Sequence, residues 1–324
     1  MNYLESNYVE VSTMRMYVGV TDFNWFNLLR QSQCEEVDFW KPGGRTNFRA
    51  LEIGDLFLFK LHSPIHSPKD FIVGGGLFLK FSILPASLAW EAFGVENGVG
   101  SFHDLLSRIY QYTGKNRRSD PDPQIGCIIL SSPFYFQEWI PVPGNWSRSI
   151  VQGKVYDSEE TYGKELYHEI VRNLYDSGGI SSVACEETEC ARYGKGRIIK
   201  PRIGQGTFRV FIADAYQRRC VVTGEKTLPV LEAVHIRPFS MEGPNQIRNG
   251  LLLRSDFHTL FDRGYITIDP SLHVEVSHRL KEDFHNGKEY YAYQGKTLQT
   301  LPLRQEDRPS AEYLEWHNEN VFLG

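Results

Sequence analysis

The sequence predicts an α+β protein in three parts: a curved β-sheet or small barrel with peripheral helices, a helical connector, and a strand–strand–helix unit. Three observations carry this prediction. Residues 1–158 hold many short apolar, β-prone runs and few helical ones. From Tyr162 the apolar residues recur every four positions. After Arg219 come two short strand-like runs, a polar loop between them, and a helix-like segment.

In chain order, Met16–Val20 is the first β-prone run, and Trp25–Arg30 reads as helix. Leu56–Leu61 follows the turn Ile53-Gly54-Asp55. Phe71–Val73 and Leu77–Phe81 flank Gly74-Gly75-Gly76, which reads as a bend between two strands. Ser87–Phe93 reads as helix, and in Phe102–Tyr112 the residues Phe102, Leu105, Leu106 and Ile109 fall on one helical face. Ile125–Leu130 is a buried run ended by Pro133. Tyr162, Leu166, Ile170 and Leu174 mark the next helix, stopped at Asp176-Ser177-Gly178-Gly179. A further helix begins after Gly206, with Phe208, Phe211, Ile212 and Ala215 as its apolar face. The expected divisions are 1–158, a helix and basic linker over 159–203, and 204–324.

Composition excludes several classes. With 324 residues, 41% hydrophobic and 13% aromatic, the chain is not a disordered polymer. No apolar run reaches ~18 residues, so no membrane span is expected. Met1–Glu10 carries Glu5 and Glu10 without a basic region and does not read as a secretory signal. Five scattered cysteines with no Cys-x-x-Cys pair suggest neither a disulfide framework nor a structural zinc, and point to a reducing cytoplasm. The net charge of −5 argues against a nucleic-acid-coating protein. Locally, however, Arg192, Lys195, Arg197, Lys200, Arg202, Arg209, Arg218 and Arg219 face only Asp214 in acidic character. Such a patch suits an anionic polymer.

The chemistry concentrates between Arg219 and Asp269. Val230–Ile236 is a strand carrying His235. Pro238–Arg248 is a polar loop, and Asn249 comes 14 residues after His235. His258 follows 9 residues later on the helix-like segment. His258 and Asp262, at i and i+4, share one helix face and suit two ligands of one metal ion. Asp256 reads as a partner of Arg254, and Cys220 as a small buried hydrophobe. The order strand–His–loop–Asn–helix–His resembles the HNH nucleases, whose motif sits on a ββα-metal fold. The strings Gly204–Arg209, Glu232–Ile236 and Asn249–Leu253 resemble bacterial members of the restriction type. That resemblance implies His235 as the general base, Asn249 as the brace of the loop that orients it, and His258 and Asp262 as ligands. It also implies Mg²⁺ or Mn²⁺, with Ni²⁺ or Co²⁺ as further candidates. One position departs from the family: Val234 stands where many members carry a metal ligand. Arg237, Arg254, Arg209, Lys200 and Arg202 are candidate phosphate contacts.

In the first half, Met16–Asp22, Trp25-Phe26, Val37–Pro42, Phe48–Leu51 and Gly54–Lys60 look like the EVE branch of PUA-like domains, as does Leu88–Gly94. That likeness implies a reader of modified bases with a β-barrel core. A flipped base needs an aromatic wall and polar groups for its edge. Trp25, Trp40 and Trp146 are the candidate walls, and Asp22 and Asn47 the edge readers. Phe39 reads as core. Together the two resemblances imply a modification-dependent endonuclease of a bacterial restriction or antiphage system. It would act on double-stranded DNA carrying 5-methyl- or 5-hydroxymethylcytosine, as a homodimer without membrane association. The alternatives are an HNH nuclease or nickase without modification preference, and a DNA-binding protein whose nuclease site has decayed at Val234.

Overall fold

A computed structural model describes residues 14–44, 47–62, 70–147, 149–176 and 203–324. Contacts divide the chain into two units, 1–202 and 203–324.

The first unit runs β1 (Arg15–Thr21), α1 (Phe23–Ser32), β2 (Glu36–Lys41), β3 (Leu56–Leu61), β4 (Phe71–Pro85), α2 (Ala86–Phe93), α3 (Phe102–Thr113), β5 (Gln124–Pro141), β6 (Gly153–Asp157) and α4 (Thr161–Asp176). Six strands form one sheet in the order β2-β5-β4-β3-β1-β6. Only the β1–β3 pair is parallel. The Gly54-Asp55 turn before β3 has a structural cause. Gly54 takes φ +95°, and the Asp55 carboxylate accepts the Glu52 and Arg15 backbone N–H groups.

Two expectations need correction. The closed barrel is not formed among the described residues. Closure requires hydrogen bonds between edge strands, and here β2 pairs only with β5 and β6 only with β1. Nor are Gly74–Gly76 a bend between strands. They lie inside the single strand β4, between two register shifts. A Cβ on Gly74 would sit 2.2 Å from the Phe134 carbonyl oxygen, and one on Gly75 2.6 Å from that of Phe57. The glycines let β3, β4 and β5 approach closely where the sheet kinks. Similarly, β5 continues through Pro133. It sits opposite a β4 register shift, where its missing N–H costs no ladder bond.

The unit has two apolar clusters. One gathers Trp25, Phe26 and Leu29 of α1 with Phe39, Phe57 and Phe59 of the sheet. The other gathers Met16, Val18, Leu58 and Phe136 with Leu166 and Ile170 of α4, so α4 packs as part of this unit's core. Asp38 of β2 is fully buried. Among the described residues its carboxyl has the Cys127 thiol as its one polar neighbour, and burial pushes its pKa up to about 8.

The second unit runs α5 (Gln205–Ala215), β7 (Leu231–His235), β8 (Gly250–Arg254), α6 (Ser255–Asp262), β9 (Ile266–Ile268), β10 (Val274–Val276), α7 (Arg279–Phe284), α8 (Lys288–Tyr291) and α9 (Ala311–Asn320). β7 and β8 pair antiparallel, with His235 opposite Gly250. One core unites Phe208, Ile212 and Tyr216 of α5 with Leu251–Leu253, Phe257, Phe261 and, from α9, Tyr313 and Leu314. His317 of α9 is buried and stacks on Phe261 at 3.7 Å. Its Nε2 lies 3.1 Å from the Phe261 carbonyl and its Nδ1 2.8 Å from the Thr267 hydroxyl, which donates its hydrogen to Asn318 Oδ1. Burial lowers its pKa to about 4. Among the described residues no helix is long and apolar enough to cross a membrane.

Candidate active site

The site is built on the β7–β8 hairpin and α6. β7 ends at His235, whose ring is half-buried and stacked flat on Phe208 of α5 at 3.9 Å. Its Nε2 meets the Asn245 side-chain oxygen at 2.8 Å. The Asn245 amide is itself fixed, because its Nδ2 donates to the Ile203 carbonyl at 2.7 Å. An amide oxygen only accepts, so Nε2 carries the hydrogen and Nδ1 keeps a free lone pair. Burial holds the His235 pKa below the usual imidazole value, against the opposing Asn245 bond. A neutral imidazole with a fixed tautomer is a base poised for neutral pH.

Asn249 is fully buried at the foot of the hairpin loop. Its oxygen accepts the Arg237 N–H at 2.9 Å, and its Nδ2 donates to the carbonyls of Arg237 and Pro244 at 3.0 Å. One side chain therefore closes the loop 237–249 from both ends.

On α6, His258 lies between two carboxylates. Its Nδ1 bonds Glu232 of β7, and its Nε2 lies 3.0 Å from Asp262 Oδ2. These partners, Asp262 foremost, raise its pKa to about 9. Among the described residues no three His, Cys, Asp or Glu side chains converge as a metal cage. What is present is a pair, His258 Nε2 and Asp262, with Glu232 behind the ring. This fits a hard divalent cation that takes few protein ligands and fills its shell with water and phosphate oxygens. A carboxylate on the far nitrogen of a ligating histidine fixes its tautomer and raises its basicity. Val234, 2% exposed, is a core residue. The carboxylate near His258 is supplied by Glu232 instead.

Sequence reasoning missed Glu232, Asn245 and Phe208 as parts of this site. Glu232 stands three residues before His235, on the opposite face of a straight strand, so no spacing rule selects it.

The other candidates are placed as follows. Arg237 donates Nε–H to the Met241 carbonyl, and its guanidinium lies over the Trp316 ring. Arg254 forms two 2.7 Å bonds to Asp256 and a third contact to Glu289, so its charge is locally neutralised. Arg209 is half-buried on α5. Lys200 and Arg202, with Arg192, Lys195 and Arg197, lie outside the described residues.

The five residues assigned to a base pocket are engaged as follows. Trp25 is 3% exposed and packs edge-on against Phe39 and Phe59, so it is core and not a wall. Trp146 belongs to the other apolar cluster, with Lys60 Nζ 5.4 Å from its ring. Trp40 is half-buried and spends its indole N–H on the Asn97 carbonyl. Asp22 caps α1 and pairs with Arg108. Asn47 is exposed. The first unit does contain an open cleft of about 410 Å³, lined by Asn24, Asn27 and Gln31 of α1 and Asp104, Ser107 and Arg108 of α3.

Residues 220–269, which contain both histidines, Asn249 and Asp262, match the HNH endonuclease family. The second unit carries an HNH nuclease domain. No curated protein matches the chain. Among solved structures it is similar to one titled a modification dependent TagI restriction endonuclease. The identity is 12%, with 89% of this chain and 75% of that chain covered and a TM-score of 0.27. That likeness is too slight to bear on chemistry. The HNH match accounts for the hairpin-plus-helix frame, and HNH nucleases use a divalent cation.

Proposed function

We propose that the protein is a DNA endonuclease in which His235 activates water and the first unit directs cutting to DNA carrying a modified cytosine. The observation that carries the nuclease chemistry is the fixed tautomer of His235. Asn245 holds Nε2–H, so Nδ1 accepts the proton of the attacking water as the water oxygen bonds to phosphorus and the 3′ oxygen departs. His258 and Asp262 would hold the divalent cation, with Glu232 orienting His258. When bound, that cation offsets charge on the phosphate and the leaving oxygen. Because one site cuts one strand, a double-strand break calls for two protomers or two visits by one.

For the first unit, the sequence resemblance to base readers is joined by the cleft between α1 and α3. Its three carboxamides offer donors and acceptors together, as the edge of a nucleobase requires. Its volume admits a flipped base. A second reading, a nuclease indifferent to modification, is favoured by the burial of Trp25 and the packing of Trp146 on the other apolar cluster.

Cleavage of one plasmid in unmodified, 5-methylcytosine and 5-hydroxymethylcytosine forms separates the two. Mg²⁺, Mn²⁺ or EDTA would be present, with His235→Ala as control. Metal-dependent cutting of a modified form alone supports the proposal. Equal cutting of all three removes the modification-reading part. Cutting by His235→Ala removes the mechanism.

A further inference from the structure

The loop that leaves His235 holds two large apolar side chains in water. Phe239 is 66% exposed and Met241 56%. Single exposed apolar residues are common on soluble proteins. These two share one turn, and that turn is unusually well fixed. Met241 and Gly243 N–H groups return to the Pro238 carbonyl at 2.9 and 3.0 Å. Arg237 Nε–H donates to the Met241 carbonyl at 2.6 Å, and Asn249 clasps Arg237 from both sides. A Cβ on Gly243 would stand 1.8 Å from the Arg237 carbonyl oxygen, so the loop closes only with glycine there. The backbone is ordered before any partner arrives, which lowers the entropy cost of using the side chains in binding.

Position identifies the partner. Phe239 is four residues from His235, so its Cα lies within about 14 Å of the base by chain length alone. Any duplex whose phosphodiester reaches His235 therefore comes within reach of this turn. Apolar side chains on a rigid turn have a known use against DNA: they enter a base step from the minor groove, unstack it and kink the duplex.

We propose that the Phe239–Met241 turn is a DNA wedge, placing Phe239 and Met241 into a base step beside the phosphodiester that His235 attacks. This rests on the proposed reading of the protein as a DNA endonuclease. The wedge selects sites by deformability, because pyrimidine–purine steps are the cheapest to unstack. Cut positions concentrate at TA and CA/TG steps for that reason, without contact to base edges.

The test uses the full chain carrying His235→Ala, so that DNA is bound and not cut, with duplexes containing 2-aminopurine at successive steps. Binding should raise the fluorescence at one step. Adding Phe239→Ser and Met241→Ser should abolish the rise and weaken binding about tenfold, equivalent to ~1.4 kcal/mol. Phe239→Trp should restore it. In the active enzyme, the same double serine variant should spread cut positions across all steps. Unchanged fluorescence on binding, with DNA still cut by the active enzyme, overturns the wedge and leaves the nuclease reading standing. A change in oligomeric state in the serine variant, without loss of unstacking, makes the turn a contact between copies and also overturns it. No binding and no cutting of any DNA overturns both proposals.

Discussion

At His235 the decisive atom is the hydrogen on Nε2. Asn245 accepts it, and that bond also favours the charged imidazole. Asn245→Ala should therefore lower kcat with little change in KM, and move the ascending limb of the pH–rate profile to lower pH. A limb that stays in place would remove Asn245 from the base. Glu232 acts on the other histidine. Glu232→Gln should weaken Mn²⁺ binding roughly 10- to 100-fold, measured by titration calorimetry on the full chain. Unaltered affinity would leave His258 and Asp262 acting without it. These two residues were the least legible in the sequence. His258 and Asp262 are recognisable because a helix turns local spacing into proximity, and Asn249 because it returns at the start of β8. Asn245 and Glu232 act through partners that only folding brings near: Ile203 before α5, and His258 across from β7.

The β7–β8 hairpin owes its loop geometry to one buried side chain. Asn249→Ala leaves the Arg237 N–H and the carbonyls of Arg237 and Pro244 without their partner. The expected cost is about 3 kcal/mol, read as a fall in the denaturant midpoint of the second unit. A loss below ~0.5 kcal/mol would mean that water replaces the amide. In the first unit β1, β3 and β5 were legible from their apolar runs, whereas β2, β6, the continuity of β4 and the strand partners were not. Nothing local distinguishes a closed barrel from an open sheet, since closure is decided by which edge strands meet. Nor does sequence tell how an aromatic side chain is used: α1 turns Trp25 into the core, and Asn97 takes the Trp40 indole N–H.

The molecule as a whole carries opposite responses to pH in its two units. Burial keeps His317 neutral, with a folded pKa of about 4 against about 6.5 unfolded. Its contribution is complete above pH 6.5 and is lost as pH falls toward 4. At pH 5 the second unit should be weaker by about 2 kcal/mol. Asp38 works the other way. Its folded pKa of about 8 exceeds the ordinary carboxyl value, so ionisation of the unfolded chain draws stability from the first unit as pH rises from ~4 to ~8. Asp38→Asn should flatten that slope, and His317→Gln the acidic one. Melting followed by a probe in each unit checks the pair. A single shared pH profile unaffected by either change would count against both assignments.

The stack of His317 on Phe261 also bears on gene damage. Phe261 immediately precedes Asp262, so the floor under a proposed ligand is supplied by α9, some fifty residues further along the chain. A message with a stop codon between residues 263 and 310 would still encode the whole motif from His235 to Asp262. It would lack Tyr313, Leu314 and His317, and with them part of the core that holds the motif rigid. Such truncations should yield chains whose second unit is unfolded, and with it an inactive motif, so the core residues of α9 make folding of the motif wait on translation of the chain through residue 317.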